Sequence, residues 1–302
     1  NKISFNNFSC LKGEYNENNF KFEFDETIAY TNNLAKQRII RYTDYFNKIN
    51  NNFNFKFLMN HLDCFPRLKI LNEINMIYFG CSAPNIENNN CIPIIDAHNL
   101  WDAKKICEYN LNYDFNFDNS DFKSKINKIV WRGALIPTFT KEELGLMHLR
   151  LSICEKYNNN NKFDIGYTSN DYNHILLQNK NFLNYNEFTK FKYILNIDGY
   201  GASFEGTIWK LRSTSLLIWI TDENNEFYWL QWYYPLLKPY VHYVPSSIDN
   251  LEKTYEWCES NQDKCIEIIN NSTKLVNDIL LNTDEYHKQL FNKINQIYNN
   301  NL

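Results

Sequence analysis

The stretch that most restricts the fold lies in the second half of the chain. A β-rich run, YILNI, is followed by Asp198, Gly199 and Gly201, then by a short basic segment to Ser215, then by the apolar run LLIWI. Strand, glycine turn, short helix and strand in that order specify an α/β architecture, because the helical segment is too short and too amphipathic to bury itself alone. Glycine is expected in the turn to supply a backbone conformation closed to other residues. In α/β proteins the turn leaving the carboxyl end of a strand is where ligands bind. The helix predicted for residues 206–215 brings Trp209, Lys210 and Arg212 close together. Two cations beside such a turn fit a phosphate, and a solvated basic patch fits them equally well.

The rest of the chain supports two units of this kind. Its 302 residues, 44% of them hydrophobic, suffice for one large domain or two ordinary ones. In the first half, Ile28, Leu34, Ile39, Ile40 and Phe46 recur as on an amphipathic helix, and short strands are predicted at 54–60, 75–81 and 91–96. Residues 1–19 read as a lead-in without period, and 109–125 as a linker. A second unit opens at Ile126 with a strand ending in Arg132 and Gly133, where a guanidinium can grip an oxyanion; a surface arginine is the competing reading. Thr140 followed by Glu142 and Glu143 predicts a helix start. Further strands are expected at 162–168 and 241–244, a helix through the aromatic run up to Pro235, and helices at 263–281 and 284–298. The domain expectation is therefore 1–125 and 126–283.

Composition excludes several classes of function. A formal net charge of -4 gives no global reason to expect nucleic acid. No run of about 18 apolar residues suggests a membrane span. Eight cysteines are too few for a disulfide framework, none forms a CxxC pair, and no Cys/His cluster has zinc-site spacing. Cys258 and Cys265 have a spacing that permits a bridge or a shared helical face. The chain begins at Asn1 rather than Met, which leaves room for an upstream segment.

Four blocks carry a family resemblance: WRG at Trp131 to Gly133, IDGYGAS at Ile197 to Ser203, WKLRSTSLL at Trp209 to Leu217, and WYYPLLKPYVHYVP at Trp232 to Pro245. In this order they resemble the CAP10-like, or KDEL-motif, glycosyltransferases of family 90. That family includes protein O-glucosyltransferases and relatives that modify capsule and lipopolysaccharide. The resemblance implies a GT-B fold, two Rossmann-like domains facing across a cleft, with 284–302 returning to the first of them. It implies inverting transfer from a nucleotide diphosphate sugar to a hydroxyl of a protein or glycan acceptor, without an essential divalent metal. UDP-glucose is the first expected donor, with UDP-xylose or another nucleotide sugar next.

The same resemblance assigns roles. In HLDCFP, Asp63 matches the catalytic base, although Cys64 interrupts the motif; read from local sequence alone, a turn cap is the commoner role for such an aspartate. Arg132 matches the arginine that contacts the donor diphosphate. Gly199, Gly201 and Ser203 belong to the turn that holds the donor, with Lys210, Arg212 and His242 beside it. For His242, and for Tyr228, Trp229, Trp232, Tyr233 and Tyr234, a place in the core is the more frequent alternative. Glu205 departs from the family, many of whose members carry an arginine there, and this motivates a rival reading as a catalytically silent nucleotide- or glycan-binding protein. The chain lacks a terminal KDEL sequence, so retention in the endoplasmic reticulum does not carry over.

Overall fold

The computed structural model describes residues 10–16, 19–23, 33–49, 56–60, 77–85, 91–95, 117–136, 138–139, 146–168, 179–199 and 201–300. The chain divides into two compact units. One comprises Asn1–Asn112, Leu230–Trp232 and Ile279–Leu302, the other Tyr113–Trp229 and Tyr233–Asp278.

In the first unit, β1 (Cys10–Asn16) pairs antiparallel with β2 (Asn19–Glu23), so a hairpin occupies much of the segment expected to lack regular structure. The alternation of Leu11, Gly13 and Tyr15 with Lys12 and Glu14 is short and half polar, which hid its period of two. Helix α1 (Asn33–Ile49) is followed by β3 (Lys56–Asn60), β4 (Ile77–Gly80), β5 (Ala83–Pro84) and β6 (Cys91–Pro93). The sheet order is β2-β1-β3-β4-β6, with β3, β4 and β6 parallel. Its core is aromatic: Phe57 meets Phe46 at 5.9 Å and Phe79 at 4.9 Å between ring centroids.

The second unit is built on β7 (Ile126–Gly133), β10 (Phe163–Tyr167), β11 (Phe191–Asn196), β12 (Leu216–Ile220) and β14 (Val244–Ser246). Two short strands, β8 (Thr138–Phe139) and β9 (Leu146–Met147), form a small hairpin after β7, and β13 (Trp229–Leu230) precedes β14. The large sheet runs β10-β7-β11-β12-β14 and every pairing in it is parallel. Parallel strands are covered on both faces, which is why YILN and LLIWI are apolar almost throughout rather than alternating. One face packs on α2 (Leu149–Tyr157) and α5 (Leu251–Ser260), through Leu149, Ile153, Tyr157, Leu251 and Tyr255. The other packs on α3 (Tyr185–Thr189) and α4 (Phe204–Arg212), through Phe188 and Trp209. This is a mixed α/β fold with parallel sheets.

Other elements differ from expectation for identifiable reasons. Helix α2 begins at Leu149 with His148 at its cap, not at Thr140; residues 140–145 lie outside the described residues. The aromatic run is not helical: it forms β13 and a 3-10 turn over Tyr234–Leu236 entered through Pro235. Pro235 stands at the start of that turn, where its missing N–H costs nothing. Trp219 alone meets Phe227, Tyr234 and Tyr243 at 4.7, 4.9 and 5.5 Å. Residues 117–125 pack into the second unit instead of hanging free. Lys125 is buried there, donating to the carbonyls of Asp118 and Thr189 and to the Thr214 hydroxyl. The two terminal helices are one, α6 (Gln262–Asn300), whose buried residues Cys265, Ile268, Ser272, Val276, Thr283, His287, Phe291 and Ile294 hold a helical period throughout. Its residues to Asp278 belong to the second unit and those from Ile279 to the first. Cys258 and Cys265 are buried free thiols.

Candidate functional site

Counted along the chain, the strands of the second sheet lie in the order second, first, third, fourth, fifth. The order reverses between β7 and β11, and a doubly wound sheet opens its ligand crevice at the carboxyl ends of the two strands that flank such a reversal. Here those ends are Gly133–Ala134 and Ile197–Asp198–Gly199.

Arg150, in the first turn of α2, spans the two. Its Nη1 donates to the Ala134 carbonyl at 3.1 Å, its Nη2 to Ile197 at 3.0 Å and its Nε to Asp198 at 3.1 Å. The guanidinium also lies 5.8 Å from the Trp131 ring centroid. Burial pushes its pKa down to about 10, against the opposing charge of Asp198. Sequence reading missed this residue. A cation in a helix's first turn opposes the macrodipole, a usable signal only when the helix start is placed at Leu149.

Glycine at 199 is required by close approach rather than by dihedral freedom. No described glycine has a positive φ, which corrects the expected backbone geometry of the turn. A Cβ at Gly199 would instead sit 3.0 Å from Arg150 Nη2. The Gly199 N–H donates to the Gly201 carbonyl at 3.1 Å, closing the turn that delivers the chain to Ser203 at the cap of α4.

A polar chain runs through this turn. Lys210 Nζ donates to Asn196 Oδ1 at 2.8 Å, Asn196 Nδ2 to Thr207 Oγ1 at 3.3 Å, and Thr207 Oγ1 to the Ser203 carbonyl at 2.8 Å. Ser203 Oγ donates to the Ile197 carbonyl at 3.4 Å. Asp198 is fully buried beside them. Burial pushes its carboxyl up to about 7, opposed by Arg150, the Ser203 N–H, Lys210 and the Trp229 N–H. Lys210 is driven down to about 7 by burial and by Arg150, with Asp198 acting the other way.

The structure thus gathers Gly199, Gly201, Ser203 and Lys210 at the carboxyl edge, with Arg150, Asn196 and Asp198 added. Arg132 lies on the same sheet edge but is heavily engaged. Four of its five N–H donors point at protein acceptors: Nη1 at the Trp131 and Asp164 carbonyls, Nη2 at Asp164 Oδ1 and Nε at the Asn181 carbonyl. Lys180 shares that carboxylate at 2.6 Å. Arg212 ends α4, which returns toward the amino ends of the strands, so it lies away from the turn; burial lowers its pKa. His242 precedes β14 and is likewise at the amino end. Its Nδ1 accepts from the Lys238 N–H at 2.9 Å, holding a turn in which Tyr240 adopts a φ of 58°. Trp229, Trp232, Tyr233 and Tyr234 are buried, as core residues are, and Tyr228 is partly so. Asp63, and the side chain of Glu205, lie outside the described residues. Among the described residues no three His, Cys, Asp or Glu side chains cluster as metal ligands, and no helix is long and apolar enough to cross a membrane.

A doubly wound α/β unit with cations at its switch point belongs to a broad class of ligand-binding and group-transferring proteins. Within that class the assignment is specific: the model of glycosyl transferase family 90 matches residues 111–300, and the chain belongs to that family. Protein O-glucosyltransferase 1 of Homo sapiens is 33% identical over 93 residues, 30% of this chain and 22% of that protein. Its Bos taurus counterpart is 34% identical over 89 residues, 29% and 21% of the two lengths. Uncharacterized protein 179R of Invertebrate iridescent virus 6 is 38% identical over 91 residues, 29% of this chain and 8% of the viral protein. The matched segment therefore spans less than a quarter of each of these relatives. Family membership supports sugar transfer from a donor to an acceptor.

Proposed function

We propose that this chain is an inverting, metal-independent glycosyltransferase that moves a sugar from a nucleoside diphosphate, with UDP-glucose as first candidate, to a hydroxyl of a protein or glycan. The observation that carries the reading is the Arg150 bridge between the carboxyl ends of β7 and β11, with Lys210 at the same edge. Two cations and the amino terminus of α4 converge there, and each favours an anion.

In this mechanism the acceptor oxygen attacks the anomeric carbon while Asp63 takes its proton, and the bond to the diphosphate breaks. The leaving diphosphate gains negative charge, which Arg150 and Lys210 offset in a site already built for it, without the reorganisation that water would require. Arg132, engaged with Asp164, serves this edge by fixing the end of β7. The two units are proposed to act as the halves of a GT-B enzyme, the second holding donor and the first supplying the base.

The test is a panel of nucleotide diphosphate sugars assayed for binding and for transfer or hydrolysis, with Asp63→Asn and Arg150→Met beside the parent. Expected is turnover with one UDP-sugar, abolished in Asp63→Asn with donor affinity retained. Binding without turnover by the parent would favour the silent-binder reading. Full activity in Asp63→Asn would remove that residue as the base.

A further inference from the structure

Asn196 closes β11 as a fully buried amide with both of its ends engaged. A lysine ammonium only donates, so the Lys210 Nζ contact at 2.8 Å fixes the amide oxygen on that side. The Thr207 hydroxyl gives its proton to the Ser203 carbonyl at 2.8 Å, so it accepts from Asn196 Nδ2 at 3.3 Å. The orientation of the amide is thus set twice, independently. A one-way chain of donors runs from Lys210 through Asn196 and Thr207 to the backbone that caps α4.

Lys210 sits in the last turn of α4, where the ordinary part of a lysine is to complement the negative end of the helix. Its ammonium is instead drawn across to the end of β11. The acceptor it meets there is a neutral amide, so the hydrogen bond holds the charge in place without cancelling it. Nζ carries three donors, Asn196 takes one, and among the described residues the other two meet no acceptor. Lys210 is only partly buried, whereas Asn196 is 0% exposed. On the neighbouring strand the register sets Trp219 beside Asn196, and that indole is fully buried too. The amide is therefore shielded from water, and the lysine is the member of the pair that a ligand can reach.

We propose that Asn196 is a positioning residue of the donor site: it tethers the Lys210 ammonium at the carboxyl edge and, being neutral, leaves that charge for the donor diphosphate. The donor part of this role rests on the reading under Proposed function. An apolar side chain of the same size would fill the place and release the ammonium. An aspartate would keep the bond but neutralise the charge that a diphosphate needs.

Two arms test this, one of them without ligand. Both run at about pH 6, below the value of about 7 to which burial drives Lys210, so that the amine is protonated. In the first, exchange of the lysine ammonium protons with water is followed in proton–nitrogen correlation spectra, with Lys210 assigned from its absence in Lys210→Met. The parent should show a protected Lys210 signal that is lost in Asn196→Leu. No such signal in the parent, or one that persists in Asn196→Leu, overturns the proposal. In the second arm, calorimetry measures UDP-glucose affinity in the parent, both single variants and the double variant. Each single variant is expected to lose about tenfold or more, and Asn196→Leu should cost less than about twofold further in the Lys210→Met background. An equal loss in both backgrounds would show a merely structural residue and overturn the proposal. Asn196→Asp keeps the acceptor and should also bind about tenfold or more weakly. Parent-like affinity there overturns the neutral tether, and this variant decides the matter should Asn196→Leu not fold. A parent with the protected signal but no UDP-glucose binding would remove the donor reading and the donor role with it, while a missing signal with binding intact removes the tether alone.

Discussion

Arg150 lies so close against Gly199 that a methyl group on residue 199 would sit 3.0 Å from its Nη2. The turn is glycine because a guanidinium occupies the space a side chain would need. Gly199→Ala is therefore expected to displace Arg150, costing about 1–3 kcal/mol in stability and weakening donor binding. Urea unfolding and UDP-glucose titration measure the two effects. The sharper check is a double-mutant cycle: with Arg150 already truncated the clash is gone, so adding Gly199→Ala should cost little more. Full additivity would mean that the glycine is needed for some other reason.

Arg150→Met should be more damaging than its position near a helix start suggests. Three carbonyls, of Ala134, Ile197 and Asp198, lose a donor together, and that of Ile197 keeps Ser203 Oγ. With partial replacement by water, the expected stability loss is about 3 kcal/mol. Arg150→Lys should recover little of it, because one ammonium on a flexible stem cannot hold three acceptors that diverge around a planar fork. Thermal unfolding of both variants checks this, and a lysine variant as stable as the parent would contradict it.

The second unit was largely legible in the sequence because buried parallel strands announce themselves as apolar runs, and YILN and LLIWI do so unmistakably. The place of Gly199, Gly201, Ser203 and Lys210 beyond the carboxyl end of β11 was legible for the same reason: they follow such a strand. What sequence could not supply was the partner of each polar group. Arg132 and Arg150 are both arginines near a strand or helix end, and only the register that sets Asp164 beside β7 shows that the first is engaged and the second spans the switch point. Arg212 lies near the turn in sequence and His242 is linked to it by the family motif, but the helix returning from the turn carries Arg212 toward the opposite edge, where His242 also sits ahead of β14.

Arg132 and Asp164 give a prediction that separates structure from ligand binding. Their ion pair, 2.9 Å long with the arginine side chain only 7% exposed, joins β7 to β10. Arg132→Ala would leave Asp164 with Lys180 alone and free the Asn181 and Asp164 carbonyls. The expected loss is about 2 kcal/mol of stability, with Asp164→Asn losing a similar amount. Where both variants are compared at a temperature at which they are folded, UDP-glucose affinity should change less than fivefold. If affinity instead collapses in Arg132→Ala while the melting temperature holds, that arginine contacts the donor directly.

His287 weakens the first unit against acid. Its Nε2 accepts the Ile95 N–H at 3.2 Å, and its Nδ1 lies 2.9 Å from the Thr283 carbonyl and 3.0 Å from the Tyr45 hydroxyl. A ring nitrogen that accepts an N–H cannot also carry a proton, so the buried imidazole is held neutral and burial pushes its pKa down to about 4. In the unfolded chain the same group titrates near about 6.5. Between those values the unfolded state binds the extra proton and the folded state does not. The contribution is complete above about pH 6.5 and is lost as pH falls toward 4, amounting to about 3 kcal/mol. His287→Gln lacks the titration, so it should be less stable than the parent at pH 7, with the gap narrowing steadily as the pH approaches 4. Urea midpoints for the two proteins across that range decide the matter, and a gap that stays constant would mean that His287 keeps an ordinary pKa in the fold.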